Sequence, residues 1–230
     1  GKSLRDRSVC VGWRPAAACF MYPAHMSATL ETYGEVEALC MGRRVARVFP
    51  PLMYVRCYAV DGLLIDSGLN ACADQVSSFV SERGITRAAI THHHEDHCGN
   101  VGHLLHAGHE VFASPAAQPW IEHGFDLHFY QRLGWGAPAL GRTSPLEATV
   151  ETNRYSFQVI AAPGHCDDQV VLFEPTQGWL FSGDAFLAER VKVFRADEDF
   201  NKTMSTLAHL CDLEFDALFC AHRPVASGGR

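Results

Sequence analysis

The 230-residue sequence lacks several patterns, and each absence excludes a class of protein. No apolar run approaches the roughly 20 residues that a bilayer-spanning helix needs, so a transmembrane protein is not expected. No two of the nine cysteines have the Cys-x-x-Cys spacing of a zinc ribbon. The motif Gly-x-Ser-x-Gly is also absent, which excludes the nucleophile elbow of the serine α/β-hydrolases.

The chain also lacks an excess of basic residues. It has 19 Lys and Arg against 26 Asp and Glu, a formal net charge of −7, which argues against a general nucleic-acid binder. With 47% hydrophobic and 20% charged residues, the composition is that of a folded protein, and the length suits one α/β domain or at most two small ones. We interpret most of the scattered cysteines as small buried apolar residues in a reducing compartment, and we therefore expect a cytoplasmic protein.

The order of predicted elements favours sheets flanked by helices. Residues 1–25 have basic positions followed by a short Ala-rich patch and do not resemble a domain, so we expect an N-terminal extension there and a folded domain over 26–230. Hydrophobic patterning predicts strands at 36–41, 45–49, 53–60, 63–65, 88–91, 110–113, 155–161, 169–173, 179–182 and 217–220. It predicts helices at 73–83, 101–107, after 115 and at 200–210, with Gly84 ending the first of them. Residues 123–145 are rich in aromatics, Gly and Pro, and are interpreted either as an insertion that covers a pocket or as a surface connection.

A dense group of chemically active side chains follows the buried strand at 88–91. The sequence Thr91-His92-His93-His94-Glu95-Asp96-His97 contains the pattern His-x-His-x-Asp-His. Imidazole nitrogens and carboxylate oxygens are ligands that Zn²⁺ prefers in hydrolytic sites. Because alternate residues leaving a strand can point the same way, His92 and His94 are expected to reach one ion, and Asp96 and His97 a neighbouring one.

Four ligands from one loop cannot complete two metal sites, so the pattern predicts further ligands elsewhere. His165 lies in a predicted turn between two strands, and Asp184 and His222 each follow the end of an apolar strand. Functional residues of layered folds concentrate on loops held at such edges.

Taken together, these motifs resemble those of the metallo-β-lactamase superfamily of dinuclear metal hydrolases, over roughly residues 35–225. The resemblance lies in Leu64-Ile65-Asp66-Ser67-Gly68, the 92–97 motif, Gly164-His165, Ser182-Gly183-Asp184 and His222. It implies an αββα sandwich with the metals at one edge. The stretch 162–225 is similar to the subgroup that contains glyoxalase II-like and broad hydrolases and an endoribonuclease.

The resemblance also implies a role for each site residue. His92, His94 and His165 would hold the first ion, and Asp96, His97 and His222 the second. Asp184 would bridge the two ions, and Asp66 would be a carboxylate supporting the ligands from behind. The chain departs from the family pattern where Arg223-Pro224 follows His222. Family members often continue with another helix after this histidine, so we expect the outer helical layer to be truncated at the C-terminus.

The implied activity is metal-dependent hydrolysis of a small-molecule substrate. Two zinc ions, with iron or manganese as alternatives, would share a hydroxide as nucleophile. Asp96 would orient it or pass a proton to the leaving group. Because Asp184 is present, we favour a thioester, lactone or carboxylic ester, and Arg223 is a candidate contact for an anionic group of the substrate.

Three alternatives remain open at this point. RNA phosphodiester cleavage would use the same ions but would need a basic tract, for which the sequence has only thin candidates. β-Lactam hydrolysis is possible as a side activity. A metal-bound sensor without turnover is disfavoured by the complete ligand set. The sequence does not indicate an oligomeric state.

Overall fold

The computed structural model describes residues 26–44, 50–51, 53–190, 195 and 198–227. Within these ranges two β-sheets pack face to face, and helices cover the outer surface of each sheet. This is the αββα sandwich that the resemblance implied, and that prediction is confirmed.

The first sheet has seven strands among the described residues, arranged in the order in which they occur along the chain. They are β1 (Met26–Tyr33), β2 (Val36–Arg43), β3 (Val55–Val60), β4 (Leu63–Ile65), β5 (Arg87–Ile90), β6 (Glu110–Ala113) and β7 (Ser144–Pro145). The strands β1 to β4 are antiparallel, whereas β4 to β7 run parallel. Asp61 and Gly62 make the two-residue turn between β3 and β4, and both have positive φ, as a type I′ hairpin turn requires.

The second sheet contains six strands in the part of the chain that the structure describes. They are β8 (Thr149–Glu151), β9 (Ser156–Ala161), β10 (Val170–Glu174), β11 (Trp179–Gly183), β12 (Ala217–Cys220) and β13 (Ala226–Ser227), and their order is β13-β12-β11-β10-β9-β8. Only β11 and β12 are parallel in this sheet, so their carboxyl ends meet at the same edge. Their register shifts between Phe181 and Gly183, which changes the direction of the chain just before Asp184.

The helices bury one face each against the sheets. Their bounds are α1 (Ala73–Glu82), α2 (Val101–His106), α3 (Gln118–His123), α4 (Phe129–Gly134) and α5 (Phe200–Cys211), with a 3₁₀ turn at Asn70–Cys72. Val76, Phe79 and Val80 of α1 face the first sheet, because residues spaced three or four apart share one side of a helix. Leu210 of α5 packs on the outer face of the second sheet. None of the helices in the described ranges is long and apolar enough to span a bilayer.

Aromatic rings fill the space between the two sheets. Phe181 of β11 stacks on Phe219 of the neighbouring β12 at 4.5 Å between ring centroids. Tyr58 of the first sheet meets both rings edge-on, and its hydroxyl donates a hydrogen bond of 2.6 Å to the carbonyl oxygen of Cys220. This core therefore fixes the two strands that lead to Asp184 and His222 against the first sheet.

Most predicted elements are present, with differences at the N-terminal side. The strand β1 was not predicted, and the strand predicted at 53–60 begins at Val55. The predicted strand at 45–49 and the N-terminal extension at 1–25 lie outside the described residues. Gly84 has φ +59° and follows the last turn of α1, which confirms its predicted place at the helix end.

Replacement of Phe181 by Ala should lower the free energy of unfolding by about 3–5 kcal/mol, because the side chain is fully buried between the sheets. Chemical denaturation followed by circular dichroism measures the change. Phe129→Ala is the matched control, since Phe129 is 79% exposed, and it should change stability by less than about 0.5 kcal/mol. Equal effects of the two substitutions would contradict this account of the core.

Candidate metal centre

The residues singled out from the sequence meet at one edge of the sandwich. The 92–97 segment follows β5, and His165 lies in the turn between β9 and β10. Asp184 comes directly after β11, and His222 comes two residues after the last residue of β12. Both sheets therefore contribute side chains to one site.

Three imidazoles form the first group. Nδ1 of His94 lies 3.0 Å from Nε2 of His92 and 2.9 Å from Nε2 of His165. The three nitrogens are all within 4.8 Å of one another, a spacing at which they could hold one metal ion.

Asp96, His97 and His222 form the second group, again with one ligand atom each inside 4.8 Å. Nε2 of His222 is 3.4 Å from one Asp96 oxygen, and Nε2 of His97 is 3.9 Å from the other. This group joins two residues of the 92–97 loop to one residue from the end of β12.

Asp184 lies between the two groups. One of its oxygens, Oδ2, is 3.4 Å from Nε2 of His165 and 3.2 Å from Nε2 of His222. The other oxygen, Oδ1, is 3.3 Å from Nε2 of His97. A single carboxylate thus faces members of both groups.

Four of these histidines have the ring nitrogen that faces away from the site held by a partner. Nδ1 of His97 is 2.7 Å from Asp66, and Nδ1 of His165 is 2.9 Å from Glu198. The corresponding nitrogens of His92 and His222 contact the Thr91 hydroxyl and the Tyr54 carbonyl oxygen, at 3.1 and 2.7 Å. Such partners fix the orientation and tautomer of a ligating imidazole.

Asp66 occupies the supporting position expected for it. It has φ +61°, a left-handed conformation that is uncommon for a residue other than glycine. Its carboxylate accepts hydrogen bonds from the backbone N–H and the hydroxyl of Thr91, in addition to its contact with His97. These contacts tie the end of β4 to both ends of the 92–97 loop.

Close backbone packing also fixes the far end of this loop. A Cβ atom at Gly99 would collide with the carbonyl oxygens of Gly68 and Glu95, so only glycine allows this approach.

The electrostatics separate the histidines into two kinds. Burial, reinforced by the neighbouring imidazoles, holds the pKa of His92 and of His94 well below the usual histidine range. Burial also opposes protonation of His97, but the carboxylates of Asp184, Asp66 and Asp96 outweigh it and raise the pKa of His97. Similarly, the pKa of His222 rises to about 9 because Asp184 outweighs the effect of burial.

These properties fit a divalent metal ion. Neutral imidazoles and ionised carboxylates are the protonation states that bind metals. His92 and His94 are neutral, and His222 and His97 hold the pKa of the Asp184 carboxyl well below its usual range against the opposing effect of burial. Nε2 of His97 and Oδ1 of Asp184 are buried 3.3 Å apart without a hydrogen bond among the described residues. The carboxylates favour a positive charge at His97 and His222, and a bound metal ion would supply it in place of the two protons.

The helix α4 covers the second group. The ring of Trp135, at its end, lies 5.9 Å from that of His222, and Gln131 donates a hydrogen bond to Glu95. Burial, together with the neighbouring Asp96, raises the pKa of Glu95 to about 7. The segment 123–145 thus forms part of the cover over the site, which favours its interpretation as an insertion that covers a pocket.

Two supporting carboxylates were not predicted from the sequence. Asp168 accepts hydrogen bonds from the backbone N–H of His93 and pairs with its Nδ1 at 2.8 Å. Glu198 reaches His165 from just before α5. The Asp-Asp pair after His165 was a visible signal for Asp168, whereas nothing in the sequence around Glu198 indicates a contact 33 positions away.

Arg223 is the one candidate that does not join the described cluster. It follows His222 on the surface and is exposed. It is also not among the residues that line the cavity beside the first group. Its suggested contact with substrate stays a prediction.

Comparison with known proteins places this site in a family. Residues 51–222 match the family model of the Metallo-beta-lactamase superfamily. The match covers most of the chain, and the chain belongs to this superfamily of metal-binding hydrolases.

Individual relatives are more distant. The chain is 30% identical to a hydroxyacylglutathione hydrolase of Pseudomonas savastanoi pv. phaseolicola over 150 residues, which are 64% of this chain and 51% of that protein. It is 26% identical to an atrochrysone carboxyl ACP thioesterase of Passalora fulva over 171 residues, 71% of this chain and 45% of that protein. The chain spans about half the length of the curated relatives it matches.

A solved structure shares the fold. The di-iron-bound form of TTHA1623 superposes with a TM-score of 0.60 at 25% sequence identity, and the match covers 80% of this chain and 94% of that one. That protein holds two iron ions, so its fold accommodates a metal other than zinc.

Replacement of Glu198 should weaken metal binding, because its carboxylate holds Nδ1 of His165. Glu198→Ala removes both the charge and the acceptor, and we expect an affinity for Zn²⁺ about tenfold to a hundredfold lower. Glu198→Gln keeps an acceptor oxygen and should fall between Ala and the unaltered protein. Competition with a chromophoric chelator measures the affinity.

The matched control is Glu214→Gln, at an exposed carboxylate beyond the C-terminal end of α5. It should leave the affinity unchanged. An unchanged affinity in Glu198→Ala, with the fold intact by circular dichroism, would refute the supporting role.

Proposed function

We propose that the protein is a dinuclear metal-dependent hydrolase that cleaves a small ester-like bond: a thioester, a lactone or a carboxylic ester. His92, His94 and His165 would hold one ion, and Asp96, His97 and His222 the other. The position of Asp184, within 3.4 Å of histidines from both groups, is the observation that carries the proposal. A carboxylate placed in this way can bind two cations at once.

Bound divalent ions supply two things to such a reaction, a water whose pKa is lowered towards 7 and polarisation of the oxygen of the scissile group. The side chains of the chain supply orientation. Asp96, one oxygen of which lies 3.4 Å from Nε2 of His222, would accept a hydrogen bond from the attacking water and so orient it. The Trp135 ring packs against the His222 ring on this side of the site, with 5.9 Å between the ring centroids.

The preference for an ester-like bond has two supports. A thioesterase and a hydroxyacylglutathione hydrolase are among the relatives, although each matches only about half of its own length. In addition, the cavity beside His94 is lined by the carboxylates of Asp167, Asp168, Glu198 and Asp199 with Lys202 as its ammonium group, which is unfavourable for a phosphodiester chain. Cleavage of RNA or of β-lactams is therefore kept as an alternative outcome of the substrate test described below.

The identity of the metals is part of the proposal. A His- and Asp-rich donor set suits zinc, and iron or manganese are the alternatives. The described cysteines are all free, which supports a reducing, cytoplasmic environment.

The substrate class can be tested with the protein reconstituted separately with zinc, iron and manganese. We expect turnover of at least one member of a panel of thioesters, lactones and carboxylic esters, measured by product release. Nitrocefin-type β-lactams and single-stranded RNA should react more slowly. Cleavage of RNA alone would replace the proposal with the phosphodiesterase alternative, and no turnover of any compound by the fully loaded protein would favour the sensor.

Removal of a proposed ligand should abolish metal binding and turnover together. His94→Ala removes the nitrogen shared by the contacts of the first group, and Asp184→Ala removes the carboxylate that faces both groups. Elemental analysis should find about two ions per chain in the unaltered protein and fewer in each variant.

His106→Ala and Asp126→Ala are matched controls, since both residues are exposed and lie outside the cluster. Both variants should keep their metal and their turnover. Full activity of either ligand variant would contradict the assignment.

A further inference from the structure

A cavity of about 590 Å³ opens beside the first group of histidines. It is large enough for a drug-sized ligand, and His94 forms part of its wall, so whatever occupies it lies next to the site. The turn 163–168 and the start of α5 form one side of the wall.

Two aromatic rings line this cavity. Trp120 of α3 is 48% exposed and Phe200 of α5 is 55% exposed, and both are wall residues of the cavity. The Trp120 ring also packs against the His93 ring, another wall residue, with 5.5 Å between the ring centroids. Exposed aromatic surface at a concave site favours an apolar group of the ligand.

Carboxylates dominate the charge of the wall. Asp167, Asp168, Glu198 and Asp199 line the cavity, and Lys202 is its ammonium group. Arg195 acts electrostatically on His94 and Glu95 and so contributes a second cation nearby. Carboxylates still outnumber these cations by four to two.

Hydrogen-bond donors of the backbone and of two histidines satisfy most of these carboxylates. Asp168 is held by His93, and Asp199 accepts from the backbone N–H groups of Asn201 and Lys202 at the start of α5. Asp167 is the exception, since it forms an ion pair of 2.6 Å with the Lys202 ammonium group. Bound metal ions would attract an anion at the histidines, so repulsion by the wall would act on a charge held farther out, beside the exposed carboxylates of Asp167 and Asp199.

We propose that this cavity binds one arm of the substrate and selects arms that are apolar and carry no negative charge. The inference rests on the proposed hydrolase function and narrows its substrate class. It separates neutral and cationic esters and thioesters from those that carry a carboxylate or phosphate beside the scissile bond.

Matched thioesters test this selection on the metal-loaded protein. One series is the N-acetylcysteamine thioester of phenylacetate with a 4-carbamoyl, 4-carboxylate or 4-trimethylammonio substituent. A second series places the same substituents on the thiol arm of acetyl benzyl thioesters. In at least one series, kcat/KM should be about tenfold lower for the carboxylate than for its neutral isostere, the carbamoyl compound. The kcat/KM of the trimethylammonio compound should not be lower than that of the carbamoyl compound.

Charge variants show whether the cavity causes this penalty, which is the ratio of kcat/KM for the carbamoyl compound to kcat/KM for the carboxylate. Asp167→Asn frees the Lys202 ammonium group and should reduce the penalty about threefold, whereas Lys202→Gln should increase it. Glu147→Gln, at an exposed carboxylate outside the cavity, is the control and should change nothing. The penalty should also shrink in 1 M salt, where a steric effect would persist.

Uncleavable amide analogues of both series separate the selectivity of the cavity from the proposed hydrolase function. Calorimetric titration should show tighter binding of the neutral and cationic amides than of the anionic amide. If this order is found but no thioester is cleaved, the proposed function fails and the cavity assignment stands. Equal or preferred binding and turnover of the carboxylate compounds would overturn the inference while leaving the hydrolase function intact.

Discussion

Burial of charged and polar side chains at one sheet edge is the constraint on which this structure depends. Two carboxylates and four histidines of the cluster are almost entirely removed from solvent, which is unfavourable unless each polar atom has a partner. The surrounding loops provide those partners: Asp66, Thr91 and Glu198 hold imidazoles from behind. Among the buried atoms of the cluster, Nε2 of His97 and Oδ1 of Asp184 lack a hydrogen bond within the described part of the chain. Burial of these groups thus accounts both for the conformation of the loops and for the chemical properties of the site.

The helix α5 connects the cluster to the cavity. The two residues before it and one residue of its middle hold the His165 turn through three contacts: Glu198 with His165, the Asp199 N–H with the Gly164 carbonyl oxygen, and the Thr206 hydroxyl with the Pro163 carbonyl oxygen. The same end of the helix contributes Phe200 and Lys202 to the cavity wall. A ligand in the cavity would therefore contact the element that positions His165.

The family resemblance implied the sandwich, and the seven clustered side chains could be singled out because each lies in a local motif, a predicted turn or the end of a predicted strand. The 92–97 motif is dense, and Asp184 and His222 each follow an apolar strand. Glu198 could not be predicted, since only the packing of α5 brings it to His165. The strand β1 was missed because its residues are half-buried and include no long apolar run, so pairing with β2 along its whole length defines it.

The site has two parts with different architectural origins. The clustered histidines and aspartates stand at the ends of sheet strands that the Phe181–Phe219 stack locks in place, whereas the cavity wall is built largely from helices and turns outside that core. Substitutions at wall residues that hold no proposed ligand, such as Trp120, Phe200 and Lys202, can accumulate without disturbing the strands. Divergence of selectivity at constant chemistry is then the evolutionary route that such a scaffold leaves open, and a mutational library would best be confined to these positions.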